Sequence, residues 1–180
     1  MRYFAISITA KERAELVEVA APETLGTNEV RGRTLFTLVS PGTELAYNYT
    51  GTTFPSFPGY APAFVAEELG AEVKGISVGD VCFCMGSHRS FQRVDAKAAR
   101  PVPEDLPHHS ADFAPHSIHS GFETALRWLA DGRINTENLI CRADPREAQS
   151  AYQVLLHRKT QGLFSVFDWG KIESQDGTDG

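Results

Sequence analysis

Apolar residues alternate with polar or small ones at Phe4, Ile6 and Ile8, and Leu16, Val17 and Val19 follow after a charged break. A period of two over so few residues predicts a hairpin or two consecutive antiparallel strands. Turn-forming residues fill 22–28, and the β-branched and apolar run Val30–Val39 predicts one long strand. Ser40-Pro41-Gly42 stops it, and a short helical turn is expected next, with Thr43 as its cap and Glu44 in its first turn. A loop rich in Thr, Tyr and Pro spans 47–57, and the Pro-Gly turn of Phe57-Pro58-Gly59-Tyr60 feeds a strand over 63–69. Further short strands are predicted over 81–85 and 91–94, and Pro101-Val102-Pro103 closes the β-rich part. Strands of this length, punctuated by Gly and Pro, predict a small barrel or sandwich rather than a βαβ fold.

The period then changes. Ala111, Ala114, Ile118, Phe122, Ala125 and Leu129 make a helical stripe, with Pro115 as a kink or break within it. Asp144-Pro145-Arg146-Glu147 is a helix start, with Asp as cap and Pro at the first helical position. Ala148, Ala151, Tyr152 and Leu155 then share one face, Gly162 is expected to end that helix, and 163–167 is a last strand. The polar stretch 170–180 is expected to be a disordered tail. The fold class is therefore mainly β with helices, an α+β domain over 1–169.

Composition narrows the classes of function. Apolar residues make up 42% of the 180, enough for a full core. The formal charge is −6, with no Lys/Arg block, which argues against nucleic acid and anionic membranes as partners. No stretch reaches the roughly 20 apolar residues of a membrane span. The three cysteines, Cys82, Cys84 and Cys141, argue against structural disulfides and for a cytoplasmic location. Cys82-Phe83-Cys84 is read as strand packing rather than coordination, with the two thiols expected on opposite faces.

The candidate chemistry gathers at the strand-ending turns, since loops on a rigid sheet are where sites usually lie. Ser40, Thr43, Glu44, Tyr47 and Tyr60 are the candidate substrate-binding residues there. His88 joins them, either as an acid, base or donor near the cleft or as an ordinary surface histidine. No residue is assigned a catalytic role. His116 and His119, at i and i+3, would need a third ligand to hold a metal and are read as a solvated face.

Several motifs resemble the GroES-like catalytic domain of the medium-chain dehydrogenase/reductase superfamily, which includes zinc alcohol dehydrogenases and quinone reductases. They are Ser40-Pro41-Gly42-Thr43-Glu44, Pro58-Gly59-Tyr60, Val78-Gly79-Asp80-Val81 and Val102-Pro103-Glu104-Asp105-Leu106-Pro107. The first two look most like the bacteriochlorophyllide-dehydrogenase-like branch. Residues 132–169 resemble the superfamily's C-terminal segment, which returns to pack on the catalytic domain. The resemblance implies a partly open GroES-like barrel (1–107), a connector helix (108–131) and a C-terminal helix-strand.

The family's Rossmann domain has no counterpart here. Residues 108–131 leave room for one helix, against a domain on the order of 100–150 residues. No Gly-x-Gly-x-x-Gly occurs in the chain. Ser40 and Tyr60-Ala61 stand where zinc members carry a Cys and a His-Glu pair, and neither Ser nor Tyr is a usual zinc ligand. The resemblance so implies a cofactor-free, zinc-independent derivative that binds a small organic molecule without redox chemistry. The alternative is an NAD(P)-dependent alcohol dehydrogenase or reductase whose nucleotide domain is deleted or supplied by another chain. Without that domain one face loses its cover, and Tyr47, Tyr49, Phe54, Phe57, Tyr60, Phe113 and Trp128 are expected to line a homodimer or partner-chain surface.

Overall fold

Strand β3 (Glu29–Leu38) is the spine of the molecule in a computed structural model that describes residues 2–20, 24–102, 139–160 and 162–173. Before it, β1 (Tyr3–Ala10) and β2 (Arg13–Val19) form the expected hairpin, in register from Tyr3 opposite Val19 to Ala10 opposite Arg13. After it come β4 (Ala61–Val65), β5 (Glu68–Leu69), β6 (Val81–Phe83), β7 (Phe91–Asp95) and β8 (Arg100–Pro101). The C-terminal part adds β9 (Ile140–Ala143) and β10 (Phe164–Asp168). The main sheet runs β8-β6-β4-β3-β10-β9, with β5 and β7 on the first half of β3. It is mixed and open, the architecture of an α+β GroES-like domain.

Four strands share β3, with β5 and β7 on its first half and β4 and β10 on its second. Its first half pairs with β7, from Glu29 opposite Asp95 to Arg33 opposite Phe91. Its second half is held on both edges, by β4 (Leu38 opposite Ala61) and by β10 (Leu38 opposite Val166). β10 also lies parallel to β9, and the crossover runs through helix α2 (Ala148–Leu156). Gly32 sits mid-strand in β3 because a Cβ there would meet the Val65 backbone oxygen.

Apolar side chains separate into two cores. The first joins Ile6 and Ile8 of β1, Val39, Tyr49, Phe167 and Trp169 with Tyr152 and Leu155 of α2. The second collects Val30, Phe64, Ala66, Ile76, Cys82, Cys84 and Ala99. Cys82 and Cys84 therefore share one core rather than opposite faces. Residues two apart on a strand point the same way, which corrects the expectation.

Four local boundaries also differ from the sequence reading. Ser40, not Thr43, is the cap residue of helical turn α1 (Pro41–Thr43), because Pro41 takes the first helical position. A π-helical turn follows over Glu44–Tyr49, closed by the Thr50 N–H on the Leu45 carbonyl at 2.8 Å. Asp144 caps as expected, accepting from the Arg146 N–H at 2.9 Å, but its first turn, Pro145–Glu147, is 3-10. Helix α2 ends at Leu156, ahead of Gly162, because Arg158 takes a left-handed φ of 54° and the chain turns there. The expected tail begins as helical turn α3 (Gly170–Glu173). The connector 108–131, with His108, His109, Phe113, His116, His119 and Trp128, lies outside the described residues.

Candidate functional site

Where β3 ends, its last inward hydroxyl starts a polar cluster that draws side chains from four other segments. Thr37 is fully buried in β3, opposite Phe167 of β10. Its Oγ1 accepts the indole N–H of Trp169 at 3.0 Å and lies 2.8 Å from Nδ1 of His88. The other ring nitrogen, Nε2, is 2.9 Å from Oε2 of Glu44. The same Oε2 accepts the Tyr152 hydroxyl at 2.6 Å, and Oε1 accepts the Ser40 N–H at 2.8 Å. Glu44 is 2% exposed, and His88 and Tyr152 are 0% exposed.

The hydrogens have one arrangement that satisfies every atom. Trp169 can only donate, so Thr37 accepts from it and has its own proton left to give. In that arrangement Nδ1 of His88 accepts from Thr37 and Nε2 donates to the Glu44 carboxyl group. The carboxylate then receives three donors: Ser40 N–H, His88 Nε2–H and Tyr152 O–H. A buried charge needs this degree of coordination, since an unpaired one would be prohibitively costly.

Local sequence holds each member in place. Glu44 is set by the turn that Ser40-Pro41 starts, and its carboxylate folds back on Ser40 itself. His88 is fixed by its backbone, which donates to Pro58 (2.8 Å) and accepts from Ile6 (2.9 Å). Gly59, at φ +138°, lets the Pro-Gly turn lie against Ser87 and His88, where a Cβ would collide with both backbones. Tyr152 stacks on Tyr49 with ring centroids 5.0 Å apart. The Tyr49 hydroxyl accepts from the side-chain amides of Gln149 (3.1 Å) and Gln153 (2.7 Å). Phe167 meets the His88 ring edge-on at 5.0 Å.

Of the residues singled out from the sequence, the structure joins Glu44, His88 and the backbone of Ser40. His88 is neither a surface histidine nor open to a ligand, since Thr37 and Glu44 occupy both nitrogens. Thr43, Tyr47 and Tyr60 lie outside the network, with Tyr47 76% and Tyr60 46% exposed. The tyrosine that completes the cluster is Tyr152 rather than Tyr60. Thr37, Tyr152 and Trp169 carried no sequence signal of this role; each fitted a strand or helix pattern on packing grounds alone. Ser40 and Tyr60 do end up at one rim, because the pairing of Leu38 with Ala61 sets the following Ser40 beside the preceding Gly59-Tyr60 turn. Of the expected interface aromatics, Phe57 is exposed with Tyr47 and Tyr60, whereas Tyr49 is buried and Phe54 packs against the first core.

That rim does not suit a zinc ion. Ser40 and Tyr60 offer hydroxyls where thiolate or imidazole is required, and the imidazole of His88 is consumed inside. Nor does the parallel unit β9-α2-β10 suit a dinucleotide. Its first turn, Ala143-Asp144-Pro145-Arg146, has no glycine, and the Asp144 carboxylate already holds the Arg146 N–H that would face a phosphate.

Burial raises the proton affinity of several groups here. It pushes the Tyr152 hydroxyl well above the ordinary tyrosine value, with the Glu44 charge adding to the effect. Burial also raises Tyr49, and lifts the Cys82 thiol to about 11 and the Cys84 thiol to about 12. These groups hold their protons more tightly folded than unfolded, so their contribution is intact below the unfolded values and is lost above them. Stability should therefore decline from about pH 9 upward as thiols, then phenols, ionise in the unfolded chain. Urea unfolding across that range tests this, and Tyr152→Phe should flatten the decline above about pH 10. An alkaline limb identical in the variant would remove Tyr152 from the account.

The fold is the GroES-like catalytic fold of medium-chain alcohol dehydrogenases. A thermostable alcohol dehydrogenase from Pyrobaculum aerophilum superposes with a TM-score of 0.68 at 14% identity, over 93% of this chain and 100% of that one. The alcohol dehydrogenase of Thermus sp. ATN1 gives 0.69 at 11% identity, over 93% and 99%. An oxidoreductase/dehydrogenase of unknown specificity involved in membrane biogenesis, from Escherichia coli, gives 0.70 at 7% identity, over 93% and 99%. At these identities what is shared is the fold. No protein-family model matches the sequence, and no curated protein matches it.

Proposed function

We propose that the protein is a cofactor-free derivative of an alcohol dehydrogenase-like catalytic domain that binds a small organic molecule without redox chemistry. One observation carries this reading. The rim residues Ser40 and Tyr60 cannot serve as zinc ligands, and the nearest imidazole is committed to holding the turn that bears Ser40. What the rim offers a ligand is hydroxyls and rings, from Ser40, Thr43, Tyr47 and Tyr60. Glu44 and His88 position that rim and do not touch the ligand. A cytoplasmic location suits the free thiols of Cys82, Cys84 and Cys141.

Calorimetric titration with NADPH, and metal analysis after dialysis, test the reading. No micromolar NADPH affinity and no stoichiometric zinc are expected. Micromolar binding of NADPH, or one tightly held zinc per chain, would overturn it.

A second reading is favoured by the exposure of Tyr47, Phe57, Tyr60 and Met85. A dehydrogenase whose nucleotide-binding domain comes from another chain would cover such a rim, and so would a second copy of this chain. The homodimer is the form proposed for the isolated protein. Sedimentation in the same samples decides, and a monomer at low micromolar concentration would exclude it.

A further inference from the structure

We propose that the depression beside the Gly86–Ser87 loop binds a small organic carboxylate, with Arg89 as its charge partner. This rests on the small-molecule reading above and gives a ligand class, at a depression that shares no lining residue with the Ser40–Tyr60 rim. The depression has a volume of about 490 Å³, within the usual range for small-ligand sites. Met85, Phe91 and Val94 supply apolar lining, and Arg89, Gln92 and Arg93 supply polar groups. Among the described residues no acidic side chain lines it, although the whole chain carries a formal charge of −6.

The two arginines differ in their commitments. Arg93 is held by the Glu29 carboxylate, with its Nε at 2.8 Å from Oε2. Arg89 meets no carboxylate among the described residues, and its guanidinium lies over the Phe57 ring, 5.5 Å from the centroid. That contact orients the planar fork without neutralising it, and a carboxylate is the group whose geometry matches the fork. Gln92 adds a fixed polar group to the wall. It is 4% exposed, and its Nε2 donates to Thr34 Oγ1 and to the Ser87 carbonyl, both at 3.2 Å. Its Oε1 has no donor among the described residues and lies against Gly86, in the wall of the depression. This oxygen is not among the buried unpaired atoms of the described residues, so it opens on the depression, where a ligand hydroxyl or N–H can reach it.

The loop that carries these groups is stiff before any ligand arrives. Gly86 donates to the Tyr60 carbonyl (3.3 Å), Ser87 Oγ to that of Phe57 (3.2 Å), and Ser90 N–H to that of Phe4 (2.9 Å). A preformed site loses little conformational freedom on binding. The ligand class is thus a carboxylate on an apolar or aromatic body that also bears a hydrogen-bond donor.

The test uses 4-hydroxybenzoate, its neutral counterpart 4-hydroxybenzyl alcohol, and inorganic phosphate, followed by NMR shifts of the Gly86 amide and the Gln92 side-chain amide. The acid should bind at least about tenfold more tightly than the other two, as a charge-assisted pair does. Arg89→Gln and Met85→Glu, the second at a 58% exposed position, should each weaken the acid about tenfold or more without altering the melting transition. Three results would overturn the proposal: no shift at millimolar acid, phosphate binding as tightly as the acid, or acid binding unchanged in both variants. Equally tight uptake of the alcohol would also overturn it while leaving the small-molecule reading in place. NADPH binding would bring down that reading separately.

Discussion

Glu44→Ala is expected to lower the stability of the domain by about 3–5 kcal/mol, the combined cost of the donors it leaves without an acceptor. For a chain of this size that corresponds to a fall in melting temperature of about 6–20 °C. The magnitude follows from what is left behind. His88 Nε2–H and Tyr152 O–H lose their acceptor in the buried interior, and the Ser40 N–H loses its own at the half-buried rim. Each orphaned donor costs about 1–3 kcal/mol, reduced by whatever relaxation the turn allows. Tyr152→Phe removes only one donor and leaves a carboxylate with two, so it should cost about 1–2 kcal/mol. Urea unfolding of the two variants provides the comparison. A Glu44→Ala protein within about 1 kcal/mol of the parent would mean that water enters the cluster.

Gly59→Ala should be destabilising by about 3 kcal/mol or more, although it adds only a methyl group. The residue has φ +138°, a conformation that side chains rarely tolerate, and the new Cβ would strike backbone rather than a yielding side chain. The segment it would push is Ser87-His88, the same segment that holds the imidazole against Glu44. The two substitutions should therefore be non-additive: once Glu44 is gone, part of the loss caused by displacing His88 has already occurred. A double-mutant cycle measures this, and strict additivity would show that the Pro-Gly turn and the polar cluster are independent.

These two residues also show where sequence reading succeeds and where it stops. Pro58-Gly59 announces a turn because a glycine after proline has few other uses, and the long β3 announces itself by its β-branched run. The Asp144-Pro145 cap was equally plain, because the side chain, the missing N–H and the fixed φ act within three residues. All of these are local. The polar cluster is not: His88 finds Thr37 across 51 residues, and Tyr152 finds Glu44 across 108. Nothing near Tyr152 in sequence separates a tyrosine that packs from one that donates to a buried carboxylate. His88, between Ser87 and Arg89, has the neighbours of a surface loop, and only the backbone bonds to Pro58 and Ile6 draw it inside. The strand-ending turns point Ser40 and Tyr60 to one rim, and the register of β3 and β4 fixes that much. They could not show that the imidazole beside that rim serves the interior.

The insertion of β10 between β3 and β9 has a consequence for the order in which the protein is made. β10 and Trp169 come near the end of the described chain, yet they complete the edge of β3 and the first core. A nascent chain that has emerged only as far as Val102 can assemble the second core, whose members all lie between Val30 and Ala99. Its Thr37, Glu44 and His88 are then still hydrated, with neither Tyr152 nor Trp169 to pair with. A chain that has emerged as far as Val102 thus holds every member of the second core, whereas the Glu44 carboxyl group gains its Tyr152 donor only when the C-terminal part joins the sheet.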